Sequence, residues 1–242
     1  MQSLVERYRA GLPHQVDYTA LLEETNIFGK GKHLVPDAGA KRRLATLFLE
    51  AEARLDLEMA IRCLTEGRLC SPEEMKVSCE LEYWAFFQTA NFSRVLYVGC
   101  GAYPLIALYV LERDRRISFD GIDIIPHATV LCAQVVAKLG HSDRFRPFTR
   151  DALEFEGDLI ERYDAFFISS AVRPKNAILD RFLKHKKPHA RIYAREDEAH
   201  PDFYDPVEIS HPHLLTARQA RARWKEEKGK AYPLPKGCET DI

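Results

Sequence analysis

The segment Val95-Leu96-Tyr97-Val98-Gly99-Cys100-Gly101 constrains the fold more than any other part of the chain. Four consecutive apolar residues suit a strand buried on both faces, as in the middle of a parallel sheet. The Gly-x-Gly that ends the run lets backbone come close to a ligand, and a helix that follows presents unpaired N–H groups there. The pattern then alternates. Helices are expected over Tyr103 to Glu112, His127 to Leu139 and Lys175 to Lys186. Strands are expected over Ile117 to Asp123, Phe145 to Arg150, Tyr163 to Ser169 and Ala190 to Arg195, with Val207 to Ser210 as one more. Thr216 to Lys228 reads as a charged helix and the last dozen residues as a tail. Strands alternating with helices predict a parallel sheet covered on both faces.

Before residue 90 the pattern is helical. Leu44, Leu47, Phe48, Ala51, Leu55, Met59 and Cys63 fall three and four apart, forming one stripe of a helix over Ala40 to Glu66. Ser71-Pro72-Glu73-Glu74 has the cap, the N1 proline and the acids that open another helix, running to about Thr89. An earlier helix is expected near Asp17 to Phe28, followed by a loop over Gly29 to Pro36. The expectation is an α/β protein: a helical segment, residues 1–90, capping a Rossmann-like domain, residues 91–242. The net charge of −1 over 242 residues argues against a general nucleic-acid binder. No apolar run is long enough to span a membrane. Met1 to Arg9 lacks the apolar core of a secretory signal, so a cytoplasmic location with reduced cysteines is expected.

Pro104 stands where a dinucleotide fingerprint needs its third glycine, so G-x-G-x-x-G fails. The next predicted strand ends at Asp123, about 24 residues past Gly99, where a carboxylate suits two ribose hydroxyls. Asp151 follows the third strand and is placed to accept from an adenine amino group. Strand–GxG–helix, strand–Asp, strand–Asp is the layout of an S-adenosylmethionine site. Its alternative is a glycine turn with two solvated or capping aspartates.

From about residue 76 to 213 the chain resembles the nicotianamine synthase family, including bacterial opine-metallophore synthases. The resemblance rests on Leu81-Glu82-Tyr83, on Val98 to Leu105, and on Phe119-Asp120-Gly121-Ile122-Asp123-Ile124-Ile125-Pro126-His127-Ala128. Thr149-Arg150-Asp151, Tyr163 to Phe167, Ala194-Arg195 and His211-Pro212 continue it. Tyr103, Ile125 and Arg173 depart from the usual pattern, as does everything after His213. The resemblance implies transfer of the 3-amino-3-carboxypropyl group of S-adenosylmethionine to an amino-acid amine, releasing methylthioadenosine, without a metal. Relatives that cyclise the cofactor to azetidine-2-carboxylate, and ordinary methyltransferases, are the alternatives.

The site expected from pattern and resemblance together is specific. Gly99, Gly101, Asp123, Ile124, Arg150, Asp151, Ala152 and Ser169 hold the cofactor. Ser170 and Arg195 bind the acceptor, Arg195 through a carboxylate, with an ion pair to Glu196 or Asp197 as its alternative role. Glu82 and Tyr103 are the catalytic pair. Glu82 lies about 200° around its helix from Glu80, so one of the two faces solvent, and in aromatic surroundings a carboxylate serves as base for the attacking amine. Tyr103 is expected at the pocket mouth, with packing over the turn as its alternative. His211-Pro212-His213 lacks further ligands at metal spacing. Arg218, Arg221 and Arg223 form a solvated face or draw in an anionic substrate. The partner expected is a small amino-acid substrate, with a homodimer left open.

Overall fold

The computed structural model describes residues 38–70, 73–88, 91–196 and 206–228. The expected helix at Asp17 to Phe28, the loop to Pro36, the Ser71-Pro72 cap, Thr89 and the C-terminal tail lie outside the described residues.

Helix α1 (Ala38–Glu66) and helix α2 (Glu73–Glu82) precede the sheet, and α2 continues into a π-helical turn, Tyr83–Phe87. Then come β1 (Arg94–Val98), α3 (Leu105–Arg113), β2 (Ser118–Asp123), α4 (Pro126–Lys138), β3 (Phe145–Thr149), the short α5 (Gly157–Ile160) and β4 (Ala165–Ile168). The described chain closes with α6 (Lys175–His185), β5 (Arg191–Ala194), β6 (Leu214–Thr216) and α7 (Ala217–Lys228). The six strands are all parallel, in the order β3-β2-β1-β4-β5-β6. This is the doubly wound arrangement, in which the strand order reverses beside β1 and opens a crevice at the carboxyl ends of the strands.

Alternation along the strands divides the core in two. Val95 and Tyr97 of β1 and Phe167 of β4 join the layer with α1 to α4, whereas Leu96, Val98, Phe166 and Ile168 join the layer under α6. A parallel central strand needs both layers, which is why its sequence is a continuous apolar run. Leu57, Met59, Ala60 and Cys63 of α1 and Phe86 and Phe87 of the π turn share the first layer. No helix among the described residues is long and apolar enough to cross a membrane.

Two local expectations are corrected. Val207 to Ser210 is not a strand: the Val207 N–H is taken by Glu196 and the Glu208 N–H by Asn176. The sixth strand is Leu214–Thr216, whose residues pair with Ile192, Tyr193 and Ala194. Alternation alone did not separate a capped loop from a three-residue edge strand. In the α1 stripe, Leu55 is 42% exposed, and the buried face runs through Leu57, Met59, Ala60 and Cys63.

Candidate active site

The glycine turn sits at the carboxyl end of β1. Gly99 and Gly101 have φ of 71° and 62°, the left-handed region that favours glycine. Neither has room for a side chain. A Cβ at Gly99 would strike Val172, and one at Gly101 would fall on a carboxylate oxygen of Asp56.

Asp123 stands at the tip of β2. One of its oxygens accepts the Gly101 N–H at 2.9 Å and the other the Ile125 N–H at 3.0 Å. Burial raises its pKa, and the backbone donors offset only part of that rise. Ile124, 68% exposed, lies beside it at the rim. At the end of β3, Asp151 is exposed and accepts the Leu153 N–H, while Ala152 is buried behind it. Arg150 is exposed and lies 3.8 Å from Glu156. Ser169, partly buried after β4, lies against Gly99, and the carbonyl of the buried Ser170 accepts from Lys175. The structure therefore gathers Gly99, Gly101, Asp123 and Ser169 around one crevice mouth, with Ile124 and the Arg150–Ala152 turn at the ends of the neighbouring strands.

Glu82 is buried, at 2% exposure, while Glu80 is exposed, so the two acids do face opposite ways. The Glu82 carboxylate is not free. Both its oxygens accept from Arg195, at 2.7 Å from Nε and 2.6 Å from Nη2. Arg195 leaves β5 with 27% of its side chain exposed and crosses the face of Phe167 at 5.3 Å. The alternative role of Arg195, an ion pair with Glu196 or Asp197, is not seen for Glu196, one oxygen of which accepts from the Val207 backbone. Asp197 lies outside the described residues.

Tyr103 is also corrected. It is 2% exposed, and its hydroxyl donates to the Cys70 carbonyl at 2.6 Å and accepts the Cys70 N–H at 2.7 Å. A phenol holding one donor and one acceptor is tied into the fold, so Tyr103 pins the chain after α1 to the glycine turn.

One residue of the site escaped the sequence reading. Asp56 of α1 accepts the Tyr103 N–H and lies near Glu52 and Asp123. Burial first, then the like charges of Glu52 and Asp123, push its pKa well above the ordinary carboxylate range. Its position 45 residues ahead of Gly101 left no local signal.

The His211-Pro212-His213 rings stand edge to face at 5.4 Å, and each has a nearby polar partner: Lys186 for His213 and the His213 N–H for His211. Among the described residues no group of three potential metal ligands occurs. Arg218 is exposed, and α7 is anchored through Ala217, Ala220 and Trp224.

The strand order defines a doubly wound α/β protein. The family profile described as "Nicotianamine synthase protein" matches residues 75–212, more than half of the chain, and the chain belongs to that family. Among solved structures it is similar to MtNAS. A glutamate-to-glutamine variant of MtNAS in complex with S-adenosylmethionine is 16% identical at TM-score 0.56, with 85% of this chain and 86% of that one covered. The same kind of variant in another structure is 18% identical at TM-score 0.54, covering 86% and 85%. The chain also spans 41% of the length of a StiE O-MT structure, at 22% identity, 47% coverage of this chain and TM-score 0.39. No curated protein matches the sequence.

Proposed function

We propose that the protein transfers the 3-amino-3-carboxypropyl group of S-adenosylmethionine to the amine of a small amino-acid acceptor and releases methylthioadenosine. The observation that carries this reading is the convergence of four family segments at one end of the sheet. Glu82 of Leu81-Glu82-Tyr83 meets Arg195 of Ala194-Arg195, and the Gly99–Gly101 turn meets Asp123. The S-adenosylmethionine held by the MtNAS variant supports the choice of co-substrate.

In this reading Asp123 accepts from the ribose hydroxyls and Asp151 from the adenine amino group. Ile124, Arg150, Ala152 and Ser169 complete the nucleoside wall, and Gly99 and Gly101 let the methionyl part approach the backbone. Arg195 spends Nε and one Nη2 hydrogen on Glu82, so its Nη1 edge is left for a substrate carboxylate, with Ser170 nearby in sequence at the end of β4. The Glu82 oxygens keep lone pairs that can hold the acceptor's ammonium and take its proton. The freed amine attacks the methionyl γ-carbon. The bond from that carbon to sulfur breaks, its electron pair goes to sulfur, and the cationic sulfonium becomes the neutral thioether of methylthioadenosine.

The test is to incubate the protein with S-adenosylmethionine alone and then with candidate amino acids, separating the nucleosides by chromatography. Acceptor-dependent methylthioadenosine supports the proposal. Methylthioadenosine without any acceptor indicates cyclisation to azetidine-2-carboxylate, and S-adenosylhomocysteine indicates methyl transfer; either overturns it.

A further inference from the structure

Of the four buried residues of β1, Val95 to Val98, only Tyr97 carries a polar side-chain atom. The sheet register sets its place. Tyr97 stands between Gly121 of β2 and Phe167 of β4, and Phe167 stands beside Tyr193 of β5. Two residues further along the same four strands come Asp123, Gly99, Ser169 and Arg195. Tyr97 therefore belongs to the row beneath the crevice mouth. Its ring stands edge to face against Phe167, with centroids 5.2 Å apart. Arg195 crosses that same ring at 5.3 Å, so both side chains lean on Phe167. The charged and polar groups acting on the Tyr97 phenol are Arg195 of β5, Asp56 of α1, Glu82 of α2 and Cys100 of the glycine turn.

The hydroxyls of Tyr103 and Tyr163 donate within the fold, to the Cys70 carbonyl and to Asp120. The Tyr97 hydroxyl does not. No hydrogen bond among the described residues ends on it, although the residue is only 4% exposed. Burial pushes its pKa up, so the phenol stays protonated and keeps a donor to offer. Phenylalanine would fill the same space without burying an unpaired hydroxyl, which costs stability. A ligand that accepts from the phenol removes that cost.

Arg195 indicates which ligand. Its Nε and Nη2 serve Glu82, its Nη1 does not, and 27% of the side chain is exposed. A phenol O–H and a guanidinium N–H, both without an acceptor in the fold, suit a carboxylate, whose two oxygens take both. Glu82, on the Nε–Nη2 edge of the guanidinium, holds the ammonium of the same amino acid in the proposed reaction. Burial holds Asp56 toward its neutral form, so it opposes an incoming carboxylate weakly.

We propose that the Tyr97 hydroxyl and the Nη1 edge of Arg195 together seat the carboxylate of the amino-acid acceptor, so that Tyr97 sets a preference for an acid over its amide. The inference rests on the proposed transfer and adds to it a binding residue and a substrate selectivity.

The experiment follows methylthioadenosine release from S-adenosylmethionine by wild-type and Tyr97→Phe protein. The acceptors are the twenty common amino acids and the carboxamide of each one that works. In Tyr97→Phe the KM for the acid should rise about ten- to hundredfold, the scale of a hydrogen bond to a charged group. The kcat should stay within about twofold, the pattern of binding shared by ground and transition states. The KM for the amide should move by less than about threefold, because a neutral acceptor gains less from the phenol. S-adenosylmethionine affinity, read by calorimetry, should stay within about twofold. The melting temperature should hold or rise, since no bond within the fold is lost. An unchanged KM for the acid, an equal rise for acid and amide, or a loss of S-adenosylmethionine affinity in its place overturns the assignment. So does a fall in melting temperature, which puts the partner of the hydroxyl in the fold. Wild-type protein that releases no methylthioadenosine with any of the amino acids overturns the transfer reading itself, and this inference with it.

Discussion

Arg195 lays the fork of its guanidinium across both oxygens of Glu82, at 2.7 and 2.6 Å, joining residues 113 positions apart in the chain. The pair links the end of α2 to the end of β5, and so fixes how the N-terminal helices meet the strand ends. Removing one partner of such a pair leaves a buried charge without its counter-charge. Arg195→Met should therefore cost about 3 kcal/mol of stability, read from urea denaturation. Glu82→Gln keeps the shape, removes the charge and turns one of the two oxygens that accept from Arg195 into a donor. Its turnover should fall by about 10²–10⁴-fold, the scale of a lost general base, with little change in S-adenosylmethionine affinity. A folded Glu82→Gln protein with normal turnover removes Glu82 from proton transfer.

Asp123→Ala should weaken S-adenosylmethionine binding by about 1–3 kcal/mol, because the ribose hydroxyls lose a charged acceptor. The same change frees the Gly101 and Ile125 N–H groups. Calorimetry on the folded variant decides the matter, and an unchanged affinity takes Asp123 out of the nucleoside site.

Tyr103→Phe separates structure from chemistry. The hydroxyl bridges the Cys70 N–H and carbonyl, so its loss should lower stability by about 1–3 kcal/mol. Turnover per folded molecule should stay as it is. A fall in kcat with unchanged stability would return Tyr103 to the catalytic pair expected from sequence.

Asp164 lies at the opposite end of β4 and bears on stability alone. Burial by itself would raise its pKa. Hydrogen bonds from Lys187, Ser93 and the Arg94 backbone outweigh that and lower it to about 2. A depressed carboxylate stabilises the fold above its unfolded value near 4 and loses that contribution as pH falls toward 2. Asp164→Asn should thus cost about 1–2 kcal/mol at pH 7, after allowance for solvent around the partly exposed Lys187. The difference from wild type should shrink across pH 4 to 2, with nucleoside affinity unaffected. A constant gap over that range would refute the electrostatic account.

Local signals carried the order of strands and helices and the glycine turn, because a buried parallel strand writes itself as Val95 to Val98 and the turn needs Gly99 and Gly101. The Asp123 tip was legible for the same reason, as an acid at the end of a short strand. What stayed hidden depends on chain segments that meet only after folding. Asp56 reads as one more charged residue on a charged helix until α1 lies over Gly101. Arg195 has Glu196 as its sequence neighbour, yet its guanidinium reaches Glu82, 113 positions away, while one Glu196 oxygen accepts from the Val207 backbone. Tyr103 was expected in the pocket from its position beside the turn, and packing settled it onto Cys70.

The π turn at Tyr83–Phe87 puts two consecutive rings, Phe86 and Phe87, fully inside the core, edge to face at 5.1 Å. An α-helix would swing one of two neighbours about 100° away from the other. Such a wide turn accommodates one more residue than an α-helical turn would hold. Glu80 and Gln88 lie on the outer surface, where an exchange of side chain leaves this register intact. Dropping one residue from Tyr83–Phe87 would instead pull the ion-paired carboxylate or the aromatic pair out of register with the sheet.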